Sequence, residues 1–198
     1  VVLKADGSVW ATGSNEYGQL GINKTSTQVP TTATFTQCVD DTGATIKNAT
    51  DIACGEYHTA VIRAGGQLWQ CGWNKYGQLG TGDSGQDENK KDKQESKFVQ
   101  SKDANGAITN VAAVSNGNQA YATLILRPDA NGDLELLGAG QNTSGQLGLG
   151  HYASPQAIFI KSTTIDIVPI RLTDDVKSKS KDVTGVGEFI GATSVTIT

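Results

Sequence analysis

The side chains able to do chemistry in this chain are few: His58 and His151, Cys38, Cys54 and Cys71, and carboxylates that are scattered or paired as Asp40-Asp41 and Asp174-Asp175. Metal binding and acid–base catalysis need such groups at fixed spacings, and these spacings do not fit. No Cys-x-x-Cys pair occurs, which argues against a zinc ribbon, a redox motif or a dense disulfide framework and leaves small buried thiols as the expectation. A bridge between Cys54 and Cys71 requires neighbouring strands to bring the two together, which spacing leaves open. His58 has no second His, Cys or carboxylate at ligand spacing, so a hydrogen-bonded histidine beneath a loop is expected; His151 is read the same way. Asp129, Asn131 and Asp133 are spaced like the first three ligands of a calcium loop, yet the twelfth position is Gly140 rather than Glu, so a hairpin turn is expected there. No Gly-x-Ser-x-Gly elbow or phosphate-cradling loop appears, and the paired aspartates lie in polar, turn-like stretches. No catalytic residue, metal ligand or cofactor is therefore expected, and the chain is not expected to be an enzyme.

What the sequence carries instead is repetition. Residues 15–21 read NEYGQLG, 74–80 read NKYGQLG and 142–148 read NTSGQLG, with five of seven positions identical in all three. Before each copy stands a β-rich run, a Gly-containing turn (Asp6-Gly7, Gly65-Gly66, Asn131-Gly132) and a second β-rich run ending at Gly13, Gly72 or Gly138. This is a β-hairpin signal written three times. Upstream of the hairpins, the stretches from Asp51, Asn110 and Asp182 add a short strand and a tight turn, and VPTTATF from Val29 and IDIVPIRL from Ile165 read as a further strand. Each unit thus holds about four short strands, the composition of a propeller blade, and no amphipathic helix is evident. The expected fold is all-β: a β-propeller of four-stranded antiparallel blades, about three repeat units spanning residues 1–198, with variable loops at 83–107 and 151–181.

Features recurring in every unit are expected to serve the unit. Gly18, Gly21, Gly77, Gly80, Gly145 and Gly148 are expected where a positive φ or a close backbone approach is needed. Asn15, Asn74 and Asn142 have side chains suited to capping a turn, with Gln19, Gln78 and Gln146 beside them in the motif. Leu20, Leu79 and Leu147 are expected to plug the space between blades, and Trp10 and Trp69 to be buried there too. The loops 83–107 and 151–181 are the better candidates for function, since loops on a rigid scaffold can vary without harming the core. The first is highly charged with both signs and reads as solvated.

The totals agree with one globular unit: 198 residues, 37% hydrophobic and 18% charged, with 24 Gly and 4 Pro. The formal net charge of -4 and the mixing of Lys with Asp and Glu disfavour nucleic-acid binding through phosphates. No run approaches the roughly 18 apolar residues of a membrane helix. The chain opens at Val1 inside a strand-like run and contains no Met, so a translation start is not expected within it.

These motifs resemble the regulator of chromosome condensation repeats, whose blades carry a Gly-x-x-His-Thr segment, an Asp-Gly hairpin, a Trp and then Asn-x-x-Gly-Gln-Leu-Gly. The second unit matches nearly throughout, with Gly55, His58, Thr59, Gly65-Gly66, Trp69, Gly72, Asn74 and Gly77 to Gly80. The first matches from Asp6-Gly7 onward; the third keeps Gly138, Asn142 and Gly145 to Gly148 but has Leu136 or Leu137 at the aromatic position. Closed propellers have about 4 to 8 blades, so three units leave two open edges, and the resemblance implies a segment of a larger propeller or edges covered by a partner. Members of the family include a nucleotide exchange factor for a small nuclear GTPase that also binds chromatin, a secreted β-lactamase inhibitor and cell-surface proteins. The expected function is a non-enzymatic scaffold that presents loops to a protein partner. Alternatives are a structural module of an extracellular or surface assembly, suggested by the Thr-, Ser-, Asn- and Gly-rich sequence, and a guanine-nucleotide exchange factor.

Overall fold

The computed structural model of the chain describes residues 1–117 and 119–163. The described residues contain strands and turns but no helix: β1 (Val2–Leu3), β2 (Val9–Ser14), β3 (Thr31–Gln37), β4 (Ala49–Cys54), β5 (His58–Arg63), β6 (Gln67–Trp73), β7 (Gln94–Gln100), β8 (Lys102–Asp103), β9 (Gly106–Ala107), β10 (Ala113–Ser115), β11 (Ala122–Pro128), β12 (Leu134–Gly140) and β13 (Gln156–Lys161). They form three antiparallel meanders, β1-β2-β3, β4-β5-β6-β7 and β10-β11-β12-β13, the blades of a propeller. The short hairpin β8-β9 leaves the second blade and joins β13 of the third in parallel, Phe159 opposite Asp103. The bridge between Asp40 and Phe98 makes the same link from the first blade to the second.

Registers show that the blades are copies. Val2 pairs with Trp10, Val61 with Trp69 and Ile125 with Leu137, so these pairs are equivalent. On the other side Trp10 faces Gln37, Trp69 faces Gln100 and Leu137 faces Lys161, which makes Phe35, Phe98 and Phe159, each two residues earlier, equivalent as well. Each central strand is interrupted by a bulge at Gly13, Gly72 or Gly140, with φ of 108°, 107° and 113°. The third hairpin therefore ends at Gly140 and not at Gly138, and the counterpart of the tryptophans is Leu137. The motif spacing fixes this, because Gly13, Gly72 and Gly140 all stand two residues before the motif Asn.

Two apolar layers hold the blades together. Val9, Ala11, Leu20 and Ile22 of the first blade pack on Val61, Cys71 and Phe98 of the second; Ala60, Ile62 and Leu68 of the second pack on Ile125, Leu137 and Phe159 of the third, with Ile108 and Val111 between. A repeated lock forms each seam: the ring of Phe98 lies where a Cβ on Gly21 would stand, and the ring of Phe159 where a Cβ on Gly80 would stand. The first blade carries the same surface without a neighbour among the described residues. Phe35 is 53% and Val2 41% exposed, whereas their counterparts Phe98 and Val61 are at 0%.

Three expectations need correction. Trp10 and Trp69 are half-buried rather than buried, because strand alternation gives the core positions to Val9 and Ala11, and to Leu68 and Gln70. Their indoles lie along the blade with Lys4 and Arg63 over the rings at 5.5 and 4.9 Å, and their N–H groups donate to Ser8 Oγ and Gln67 Oε1. The stretch 83–107 is not loop throughout: from Gln94 on it contributes β7, β8 and β9, and its Phe98 is a core residue. Among the described residues the first blade shows three strands, its β1 being the counterpart of β5 and β11. Within 151–181, the fourth strand of the third blade is β13; the segment from Ile165, read as that strand, lies outside the described residues, as do the stretches from Asp182 and from Ser194.

Candidate functional site

The repeat motif builds the turn at one end of each blade. The side-chain oxygen of Asn15, Asn74 or Asn142 accepts from the backbone N–H of Leu20, Leu79 or Leu147 at 3.2, 3.0 and 3.1 Å. The amide nitrogens donate into the following loop, to Lys24 and Val29 carbonyls, to Thr81 and Asp83, and to the His151 carbonyl. Gln19, Gln78 and Gln146 accept from the N–H of Tyr17, Tyr76 and Ser144. Gly18, Gly77 and Gly145 have φ of 79°, 80° and 74°, and Gly21, Gly80 and Gly148 of 60°, 60° and 63°. Leu20, Leu79 and Leu147 are buried.

His58 and its neighbours form a polar seam between the second and third blades. The His58 Nε2 lies 3.0 Å from Thr123 Oγ1, which in turn is within bonding distance of Gln70 Oε1 and the Gln78 carbonyl. Gln70 donates to the Gln78 and Leu79 carbonyls and to Ser101 Oγ. Burial pulls the His58 pKa down to about 4, with Asn116 acting weakly in the opposite sense; the ring is a neutral structural group at physiological pH. The buried Cys38 and Cys71 thiols are equally inert. Burial pushes Cys38 up to about 12 and Cys71 well above its usual range. All three cysteines are free: Cys54 and Cys71 both pair with Thr59, one from each side, and two strand spacings are too far for a bridge. Asp129 closes its hairpin by accepting from the N–H of Asn131 and Asp133. Among the described residues no group of three or more His, Cys, Asp or Glu side chains could hold a metal ion.

The motif turns bring together a set of rings that motif reading does not find. Tyr17 and Tyr76 are the third residues of their motifs, Trp73 ends β6, and Tyr57 and Tyr121 immediately precede β5 and β11. The bulge glycines place them. Gly72 and Gly140 lie against the Tyr57 and Tyr121 carbonyls, where no Cβ fits, and those carbonyls accept from the N–H of Trp73 and Gln141 at 2.8 and 2.9 Å. The result is a continuous aromatic rim. Tyr17 to Tyr57 is 4.9 Å between ring centroids, Tyr17 to Trp73 5.3 Å, Tyr57 to Trp73 5.7 Å, Trp73 to Tyr76 5.5 Å, Trp73 to Tyr121 5.2 Å and Tyr76 to Tyr121 5.5 Å. Trp73 is buried at its centre and the four tyrosines around it are half-exposed. The signal available in the sequence was a Tyr shared by two motif copies and a Tyr shared by two strand starts.

Polar groups frame the rings. Trp73 donates its indole N–H to Asp92 Oδ2 at 3.1 Å, and Lys75 pairs with the same carboxylate at 3.5 Å while standing 5.8 Å over the indole. Burial works against the Asp92 charge, but hydrogen bonds from Gln86 and Trp73 and the Lys75 charge outweigh it and lower the pKa. Thus the charged loop 83–93 does reach the site, through Asp92. The Glu56 carboxylate serves the phenols of both Tyr57 and Tyr121 as acceptor and as negative charge, raising the pKa of each. Beside Tyr121 opens a groove of about 320 Å³ lined by Ser115, Gly117, Gln119, Gln141 and Gln146.

Comparisons with known proteins agree with this architecture. Residues 6–62 match the regulator of chromosome condensation (RCC1) repeat, and residues 49–78 match a second description of it. The X-linked retinitis pigmentosa GTPase regulator homolog of Caenorhabditis elegans is 29% identical over 174 residues, 88% of this chain and 11% of the relative. The ultraviolet-B receptor UVR8 of Arabidopsis thaliana is 31% identical over 147 residues, 74% of this chain and 28% of the relative. Among solved structures, yeast RCC1 (Prp20) bound to Kap60 superposes with a TM-score of 0.62 at 18% identity, over 80% of this chain and 34% of that one. The chain therefore spans less than a third of either curated relative, and the likeness to the solved structure is one of fold.

Proposed function

We propose, from the premise that this chain belongs to the regulator of chromosome condensation repeat family, that it is a non-enzymatic protein-interaction module and that its aromatic rim is the docking face. The observation that carries this reading is the contiguity of Tyr17, Tyr57, Trp73, Tyr76 and Tyr121, drawn from three successive repeats into one surface. Tyrosine and tryptophan present large rigid areas with a polar tip, and they dominate binding energy where proteins meet. Four of the five rings stay half-exposed, so the fold does not spend them on its own core. The relatives are named as GTPase regulators and a receptor, and the solved RCC1 was captured with a protein bound. Both facts favour a binding module over a structural element of an extracellular assembly.

The test compares partners captured by proximity cross-linking with the wild-type chain, with Tyr17→Ala/Tyr121→Ala at the rim, and with Phe35→Ser on the exposed face of the first blade. Partners lost by the rim variant and kept by Phe35→Ser are expected, with melting temperatures confirming that both variants fold. Identical capture by wild type and rim variant would refute the assignment.

A further inference from the structure

We infer that the rim receives a cationic side chain of a protein partner, arginine in preference to lysine, against the rings of Tyr57 and Tyr121, with Glu56 as its counter-ion. The inference rests on the rim being an interaction surface and names the chemistry of what it binds.

Glu56 is half-buried beside two phenols, yet no Lys or Arg among the described residues pairs with it, although seven ion pairs are formed elsewhere among them. The neighbouring rim cation, Lys75, is already held by Asp92. Lys75 also shows what this surface does with a positive charge: it holds one over the Trp73 ring with a carboxylate at its side. Glu56 and the Tyr57 and Tyr121 rings offer those same two elements without an occupant among the described residues. The faces of aromatic rings carry negative potential and attract cations, guanidinium above all, and a carboxylate at the edge of the cluster adds a bidentate acceptor. Glu16, exposed on the same rim, adds to the negative field, which repels phosphates and so disfavours nucleic acid or anionic lipid as the ligand. In the next blade the residue equivalent to Glu56, before Tyr121, is Ala120, so a blade folds without this carboxylate. The groove beside Tyr121 gives the rest of the partner segment a place to lie.

The test titrates the full 198-residue chain with three blocked hexapeptides that differ only in carrying two arginines, two lysines or two glutamates among glycines. Binding is followed by the indole N–H resonance of Trp73, resolved by comparison with a Trp73→Phe variant. The arginine peptide is expected to shift this resonance saturably, the lysine peptide to bind more weakly and the glutamate peptide not at all. Glu56→Gln should weaken arginine binding about tenfold, the scale of one lost charged hydrogen bond, while Asp41→Asn, an equal change of charge away from the rim, should leave it unchanged. Equal binding by the arginine and glutamate peptides, no binding by either, or unchanged binding in a folded Glu56→Gln would overturn the inference. If Glu56→Gln binds the arginine peptide like wild type while Tyr17→Ala/Tyr121→Ala still loses its partners in the capture experiment, the rim reading stands and only the cation is refuted.

Discussion

The seam between blades makes a quantitative demand on Gly21 and Phe98. Phe98 is fully buried, so Phe98→Ala removes a core ring and should cost about 3–5 kcal/mol. Gly21→Ala is penalised twice. Its φ of 60° disfavours any residue with a Cβ by roughly 1–2 kcal/mol, and the new methyl would overlap the Phe98 ring, adding about 1–3 kcal/mol of overpacking. In the double variant the ring is gone and only the backbone penalty and a tight approach to Cys71 Sγ remain. The two substitutions should therefore cost about 1–3 kcal/mol less together than the sum of their separate costs. Urea denaturation of the four proteins, monitored by tryptophan fluorescence and far-ultraviolet circular dichroism, measures the difference, and the analogous cycle at Gly80 and Phe159 should agree. Additivity within about 0.5 kcal/mol at both pairs would refute the lock, since groups that compete for one space cannot be independent.

Phe35, the exposed counterpart of Phe98, should tolerate alanine at a cost below about 1 kcal/mol in the same assay. Leu79→Ala, at a fully buried motif position, should cost about 2–5 kcal/mol; a loss under about 1 kcal/mol would remove Leu79 from the core. Asn74→Ala leaves the Leu79 N–H and the Asp83 carbonyl without their partner and should cost about 1–3 kcal/mol, a range thermal melts resolve. His58 has a folded pKa near 4 against an ordinary 6.5, so the unfolded chain binds the extra proton between those values. Stability should accordingly fall as pH drops from about 6.5 to about 4, by on the order of 3 kcal/mol. Denaturant midpoints measured across that window should lose most of this slope in His58→Gln, and an unaltered slope would contradict the neutral, buried ring.

The aromatic rim could not be read along the chain because its members come from different repeats. Tyr17 and Trp73 are 5.3 Å apart in space and belong to successive repeats in sequence. The half-burial of the tryptophans escapes composition for a related reason: hydrophobic size suggests the interior, whereas which face a strand residue takes depends on its register with the bulge, and the bulge at Gly13 or Gly72 sets that parity. The charged composition of 83–107 concealed a strand because β7 is half-buried along most of its length and Phe98 is its one fully buried residue.

By itself the sequence determined what is local and repeated. The hairpin turns, the Asn side chain that folds back on its own Leu N–H, and the positive-φ glycines involve residues within about one turn of each other, so their chemistry is written in short words that recur. The equivalence of the three blades among the described residues follows from the same words. Tertiary structure alone decided what happens where two blades meet: which phenylalanine fills the space above which glycine, which thiols stay apart, and which tyrosines gather around Trp73. Those pairings join residues of different repeats, separated by loops of differing length, and are fixed by the angle at which neighbouring sheets pack. Local sequence does not encode that angle, since it emerges only when the apolar faces of two complete blades are pressed together.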